Sequence, residues 1–166
     1  MKPTHPLIRL EPSGIAVLHL RPAQDAIRVR YGPHYYVNDE CLRDIAALWG
    51  FELDHAGMNS AGVFNPCELI ERRAGRCRAE VLYARSPSGL WAMATSYSAA
   101  ICGAGASPSV WNFIAFLTET DAKDAGLADL IARFRGIAAR GGTDAADARK
   151  IIDVLEAERV PQLSLF

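Results

Sequence analysis

Two apolar stripes in the last third of the chain narrow the choice of fold most. Leu127, Leu130, Ile131, Phe134, Ile137 and Ala138 recur at helical spacing within residues 121–139. Ala148, Ile151, Ile152 and Leu155 repeat the pattern after a "GGT" break, where Thr143 is the candidate cap. Such stripes form amphipathic helices that must bury one face. Two of them joined by so short a break predict an antiparallel helical hairpin. The hairpin then needs a partner layer on which to pack.

The rest of the chain predicts that layer as a sheet. Residues 7–10 ("LIRL"), 15–20 ("IAVLHL") and 26–30 ("AIRVR") read as short strands separated by turn-like "EPSG" and "RPAQD". Residues 76–85 alternate as a strand, 86–89 ("SPSG") turn, and 90–100 return as a hairpin partner. Between these, Asn38 or Asp39 caps a helix carrying Cys41, Leu42, Ile45, Leu48 and Trp49, with Gly50 as its stop. Residues 51–65 read as loop or broken strand. Asn65-Pro66 reads as the start of a short helix "PCELIERRAG", and Ser107-Pro108 as the start of another, with Val110, Phe113, Ile114 and Leu117 on one face. The expected class is α+β: a small antiparallel N-terminal sheet, a C-terminal helical hairpin and an extended C-terminal tail. At 166 residues, one globular domain over 1–160 and a tail over 161–166 is the simplest division.

Composition excludes several functions. The net charge of −1 supplies no global field for a polyanion, so direct nucleic-acid binding is not expected. No apolar run is long enough to span a bilayer or serve as a signal peptide, which reads as a cytoplasmic protein without a membrane partner. Cys41, Cys67, Cys77 and Cys102 form no CxxC and read as small hydrophobes. His5, His19, His34 and His55 lack one another at ligand spacing, although folding could gather two of them with Asp39, Glu40 or Asp54. No metal or other cofactor is expected. "GAGASPS" (103–109) lacks the Lys-Ser or Lys-Thr of a phosphate loop, and reads as a tight loop between a strand and a helix, which could also let another backbone approach closely. "RVRYGPHYY" (28–36) mixes basic and aromatic residues, as single-strand binders do, but fits a strand with a basic face followed by an aromatic turn. There is no GxSxG, and Asp39-Glu40 suits the first turn of a helix. No catalytic residue stands out, and the chain does not read as an enzyme.

The sequence finishes on "PQLSLF". Pro161 pushes Val160 away from helical geometry, so residues 162–166 leave the last helix as an extended segment. Gln162, Leu163, Ser164, Leu165 and Phe166 carry three large apolar side chains and no charge. Such a segment either folds back onto its own domain or docks on another protein.

"QLSLF" resembles the pentapeptide by which bacterial proteins bind the DNA polymerase sliding clamp, and fits that family's pattern at all five positions. At ordinary residue frequencies the match arises by chance in roughly one chain of this length in several thousand. The resemblance covers five residues and leaves the body unassigned. It implies that the partner is the clamp's beta subunit, with an apolar cleft for Leu163, Leu165 and Phe166 and a directional contact from the Gln162 amide. A small chain with no catalytic motif that fills this cleft fits a replication inhibitor: the toxin of a toxin–antitoxin pair, controlled by an antitoxin or protease adaptor and a cytosolic protease. The alternative is a clamp-tethered repair or replication accessory with an unrecognised site in residues 1–120, "RVRYGPHYY" being the first candidate.

Overall fold

The computed structural model describes residues 8–10, 14–53 and 57–159. The chain is α+β, with an antiparallel sheet and a C-terminal helical hairpin, as the stripes predict. In chain order the elements are β1 (Ile8–Leu10), β2 (Ala16–His19), α1 (Arg21–Tyr31), a 3-10 turn (Tyr35–Val37), α2 (Asp39–Leu48), β3 (Glu68–Ala74), β4 (Cys77–Arg85), β5 (Trp91–Ser98), β6 (Gly103–Gly105), β7 (Ile114–Phe116), α3 (Glu119–Arg140) and α4 (Ala145–Arg159).

Six strands follow the order β1-β2-β7-β5-β4-β3, and β6 pairs with the far end of β5. Every strand pair is antiparallel. The predicted hairpin is the centre of the sheet: β4 and β5 pair from Arg78↔Ser98 to Arg85↔Trp91. Side chains alternate between two faces. Cys77, Ala79, Val81 and Tyr83 point to the face covered by α3 and α4, against Leu130, Phe134, Ile151 and Leu155. Leu18, Ala84, Ala92 and Ala115 point to the other face and pack with Ile27, Leu42, Ile45 and Trp49 of the α1–α2 layer. The sheet is therefore the middle of three layers, with α1 and α2 covering one end of its second face.

Both helices of the hairpin match their stripes. Thr118 caps α3 by accepting from the Asp121 N–H at 3.1 Å. Asn38 caps α2 in the same way, accepting from Cys41 N–H at 3.0 Å, and Gly50 follows that helix at φ +81°.

Three segments depart from the sequence reading. Residues 26–30, expected as a strand, belong to α1, and "RPAQD" is its first turn. Pro22 fits there because its missing N–H is not needed. The helix buries Gln24 and Ile27 and leaves Val29 83% exposed, so the apparent alternation is not a sheet pattern. The expected short helix after Pro66 is strand β3, which pairs over seven residues with β4, from Glu68↔Tyr83 to Ala74↔Cys77. The expected helix after Pro108 is a loop followed by β7. Two side-chain donors hold that loop open: Gln24 Nε2 and Trp49 Nε1 both reach the Val110 carbonyl, at 2.9 and 2.8 Å. Val110 N–H donates to Gly62 at 2.9 Å, and Gly62, at φ +83°, lies so close that a Cβ there would meet Val110 Cγ2 at 2.7 Å. Buried tertiary hydrogen bonds replace the helical ones that local spacing suggested.

Candidate docking site

Helix α4 carries the chain to the pentapeptide, so its anchorage sets where that segment starts. Ala148, Ile151 and Leu155 are buried against α3 and the sheet. At its end, Arg159 donates twice to Asp124 of α3, Nε to Oδ1 at 2.8 Å and Nη2 to Oδ2 at 2.9 Å. One residue earlier, Glu158 accepts from Arg72 of β3. Glu156 accepts from Arg135 of α3 at 2.6 Å. Each surface pair alone is worth little, about 0–1 kcal/mol. Together they join the last turn of α4 to both α3 and the sheet, and the paired Arg159 bonds add directional definition. Val160, Pro161 and the five candidate residues Gln162, Leu163, Ser164, Leu165 and Phe166 lie outside the described residues.

The basic and aromatic segment 28–36 forms the end of α1, a loop and part of the 3-10 turn. Its arginines are engaged within the fold. The Arg28 guanidinium stacks over Tyr35, Phe113 and Trp111, at 4.9, 5.3 and 5.6 Å from the ring centroids. Arg30 pairs with Asp44 at 2.9 Å, and the Tyr31 hydroxyl donates to the same carboxylate oxygen. That bond stabilises the neutral phenol and pushes the Tyr31 pKa up. The segment ties α1 to α2 and to the 111–113 loop.

The glycines of "GAGASPS" serve close backbone approach. Gly103–Gly105 is strand β6, and a Cβ on Gly103 would lie 2.9 Å from the Tyr97 carbonyl oxygen. No helix follows to offer its N-terminus to a phosphate. Cys41 and Cys77 are buried, and burial raises both thiol pKa values, whereas Cys67 is exposed and Cys102 partly so. The small-hydrophobe reading therefore holds for two of the four and not for Cys67. Histidines His5 and His55, with Asp54, lie outside the described residues. His19 is on β2 and His34 precedes the 3-10 turn. Among the described residues no group of three His, Cys, Asp or Glu side chains could hold a metal ion.

Two open clefts are lined by described residues. One, of about 410 Å³, is lined by Gly57, Asn65, Pro66 and the β4–β5 turn Arg85–Gly89. Among its described lining residues Arg85 is the charged one, and these residues include neither a carboxylate nor an imidazole. Ser88 donates its hydroxyl to the Trp49 carbonyl, a bond that holds the turn against α2. The other, of about 240 Å³, is apolar and lined by Leu18, Leu48, Trp49, Leu90 and Leu117. Neither gathers a nucleophile with a base among the described residues.

Sequence reasoning missed a charge ladder across β3 and β4. Glu71 accepts from Arg73 and, at 2.9 Å, from Arg78, which also donates to Glu80. The cross-strand registers Glu71↔Glu80 and Arg73↔Arg78 place all four side chains on one face. The two arginines hold the Glu71 carboxyl well below the usual range, at about 2. The i, i+2 spacing of Glu71/Arg73 and Arg78/Glu80 was the available signal, hidden because 68–74 reads as helix. No family model, curated protein or solved structure matches the chain.

Proposed function

We propose that the chain docks on the DNA polymerase sliding clamp through Gln162–Phe166 and blocks replication by competing with the polymerase for the clamp cleft. The observation that carries this reading is the agreement of all five residues "QLSLF" with the clamp-binding pattern. The anchored end of α4 supports it, because a docking peptide that departs from a fixed point loses less entropy on binding than one at the end of a loose linker. In this reading the Gln162 amide donates and accepts at once, Leu163 fills the cleft entrance, and Leu165 and Phe166 occupy its deeper part. Burial at about 25 cal/mol per Å² gives two such anchors several kcal/mol before ordering costs, the range of a reversible linear motif. The body then serves as the handle gripped by an antitoxin or protease adaptor that delivers the chain to a protease.

The test is direct. The purified chain should displace a fluorescent polymerase-derived clamp peptide from the clamp, and a chain lacking residues 162–166 should not. Overproduced in bacteria, the intact chain should arrest DNA synthesis and the truncated one should leave it normal. Arrest by both forms would assign the activity to the body. Clamp binding without arrest would make the segment a tether.

A further inference from the structure

Strand β3 ends the sheet, and among the described residues no strand pairs with its outer edge. It is seven residues long and contains no proline. Such an edge carries a row of main-chain donors and acceptors open to another strand. Leu69, on the face shared with Glu71, is 51% exposed. Above the opposite face runs α4. Its residues Asp147, Ile151, Val154 and Glu158 lie on one stripe. Asp147 accepts from the Arg76 N–H at 3.1 Å and Glu158 accepts from Arg72, so this stripe borders β3. Val154, between them on the stripe, is 43% exposed. Two of the exposed large apolar side chains thus flank an edge that no described strand pairs, one on each face of the sheet.

The charge pattern of the strand selects the occupant. We propose that β3 is a homodimer interface, in which β3 pairs antiparallel with β3 of a second copy about a two-fold axis at Ile70. An axis perpendicular to the sheet keeps faces matched, so only registers centred on a residue are allowed. Centring on Glu71 sets two carboxylates opposite each other, and centring on Arg72 sets two guanidinium groups opposite each other. Like charges directly across a ladder are destabilising, and centring on Leu69 avoids them but sets Glu68 opposite Ile70 and forms no ion pair. Centring on Ile70 places Glu68 opposite the second copy's Arg72, twice by symmetry, with Ile70 facing Ile70 between them. Glu68, Ile70 and Arg72 share the α4 face: Glu68 accepts from the Tyr83 hydroxyl at 2.9 Å, and Ile70 packs on the α3–α4 core. The two Val154 side chains then border the same central pair. The outcome is one sheet continuous through both copies, with the outer β3 edge of each copy paired.

The experiment uses the full chain carrying Cys67→Ser and Cys102→Ser, so that the exposed and partly exposed native thiols do not compete. Sedimentation equilibrium at tens of micromolar should give twice the 18.1 kDa of one chain. Adding Ile70→Lys should weaken self-association at least about tenfold while the circular dichroism spectrum is kept, because the new charges meet at the axis. Adding Ile70→Cys should give a rapid disulfide-linked dimer under mild oxidant, since directly opposed strand residues lie within disulfide reach. Leu69→Cys, displaced from the axis, should cross-link more slowly. Removing residues 162–166 should leave the dimer intact. A monomer at these concentrations overturns the proposal, as does a dimer in which Leu69→Cys cross-links as fast as Ile70→Cys, or one that Ile70→Lys leaves unchanged.

Discussion

Gly126 of α3 lies against Val81 of β4 so closely that a Cβ on the glycine would sit 2.4 Å from Val81 Cγ1. Val81 is fully buried in a central strand and has a stiff β-branched side chain, so it cannot swing aside. Gly126→Ala should therefore destabilise the fold by about 1–3 kcal/mol, an overpacking cost larger than the helix propensity that alanine adds. Gly136, further along the same helix, has open space where a methyl group would go, with no neighbour within 4 Å. Gly136→Ala should stabilise by about 0.5–1 kcal/mol. Urea denaturation of the two variants checks the opposite signs.

The Glu71 carboxyl sits at about 2, first because Arg73 and then Arg78 hydrogen-bond to it. A depressed folded-state value stabilises the protein above the unfolded-state value, near about 4.3, and that contribution is lost as pH falls toward about 2. The melting temperature should therefore drop through this window. Glu71→Gln should flatten part of that drop while lowering stability at neutral pH. Thermal melts of both proteins from neutral pH down to the Glu71 value provide the measurement.

Asp144, 6% exposed between α3 and α4, accepts from the Ala100 N–H at 2.8 Å and so fastens the helical hairpin to the β5–β6 turn. Asp144→Ala should cost about 0.5–1.5 kcal/mol, because it removes a part-buried hydrogen bond whose donor residue, Ala100, is exposed to water. Asp144→Asn keeps an acceptor oxygen in place and should cost less. Chemical denaturation, with hydrogen exchange at Ala100, separates the two.

For the clamp interaction, Gln162→Ala and Phe166→Ala should each weaken binding about tenfold or more, which is about 1.4 kcal/mol. Ser164→Ala should change it little. Titration of the purified clamp with each variant tests the assignment, and equal losses at all three positions would contradict it.

Legibility in the sequence followed the range of the interactions involved. The α3–α4 hairpin and the β4–β5 hairpin were readable because their partners are neighbours and their periodicities are uninterrupted. Residues 26–30 misled because Ile27 and Val29 alternate, although only Ile27 meets a core. Residues 68–74 misled because the pairing of Glu71 and Arg73 with β4 is invisible until the strands are side by side. Residues 110–117 misled because the Val110 carbonyl is claimed by Gln24 and Trp49, both distant in sequence. The "GAGASPS" reading as a tight loop before a helix failed, because Gly103–Gly105 pairs with β5 and β7 follows, whereas close backbone approach was readable from its glycines. The docking pentapeptide rests on its own sequence, since the described chain reaches only to its stalk.

The ion pairs of Glu158 and Arg159 also define a mechanical load path. Tension applied to the end of α4 enters the body at these two residues. It divides at once between Asp124 on α3 and Arg72 on an edge strand. Peeling the last helix away breaks both attachments and then unpacks Leu155 and Ile151 from the core, so a pull from this end works against the helical hairpin and the sheet together.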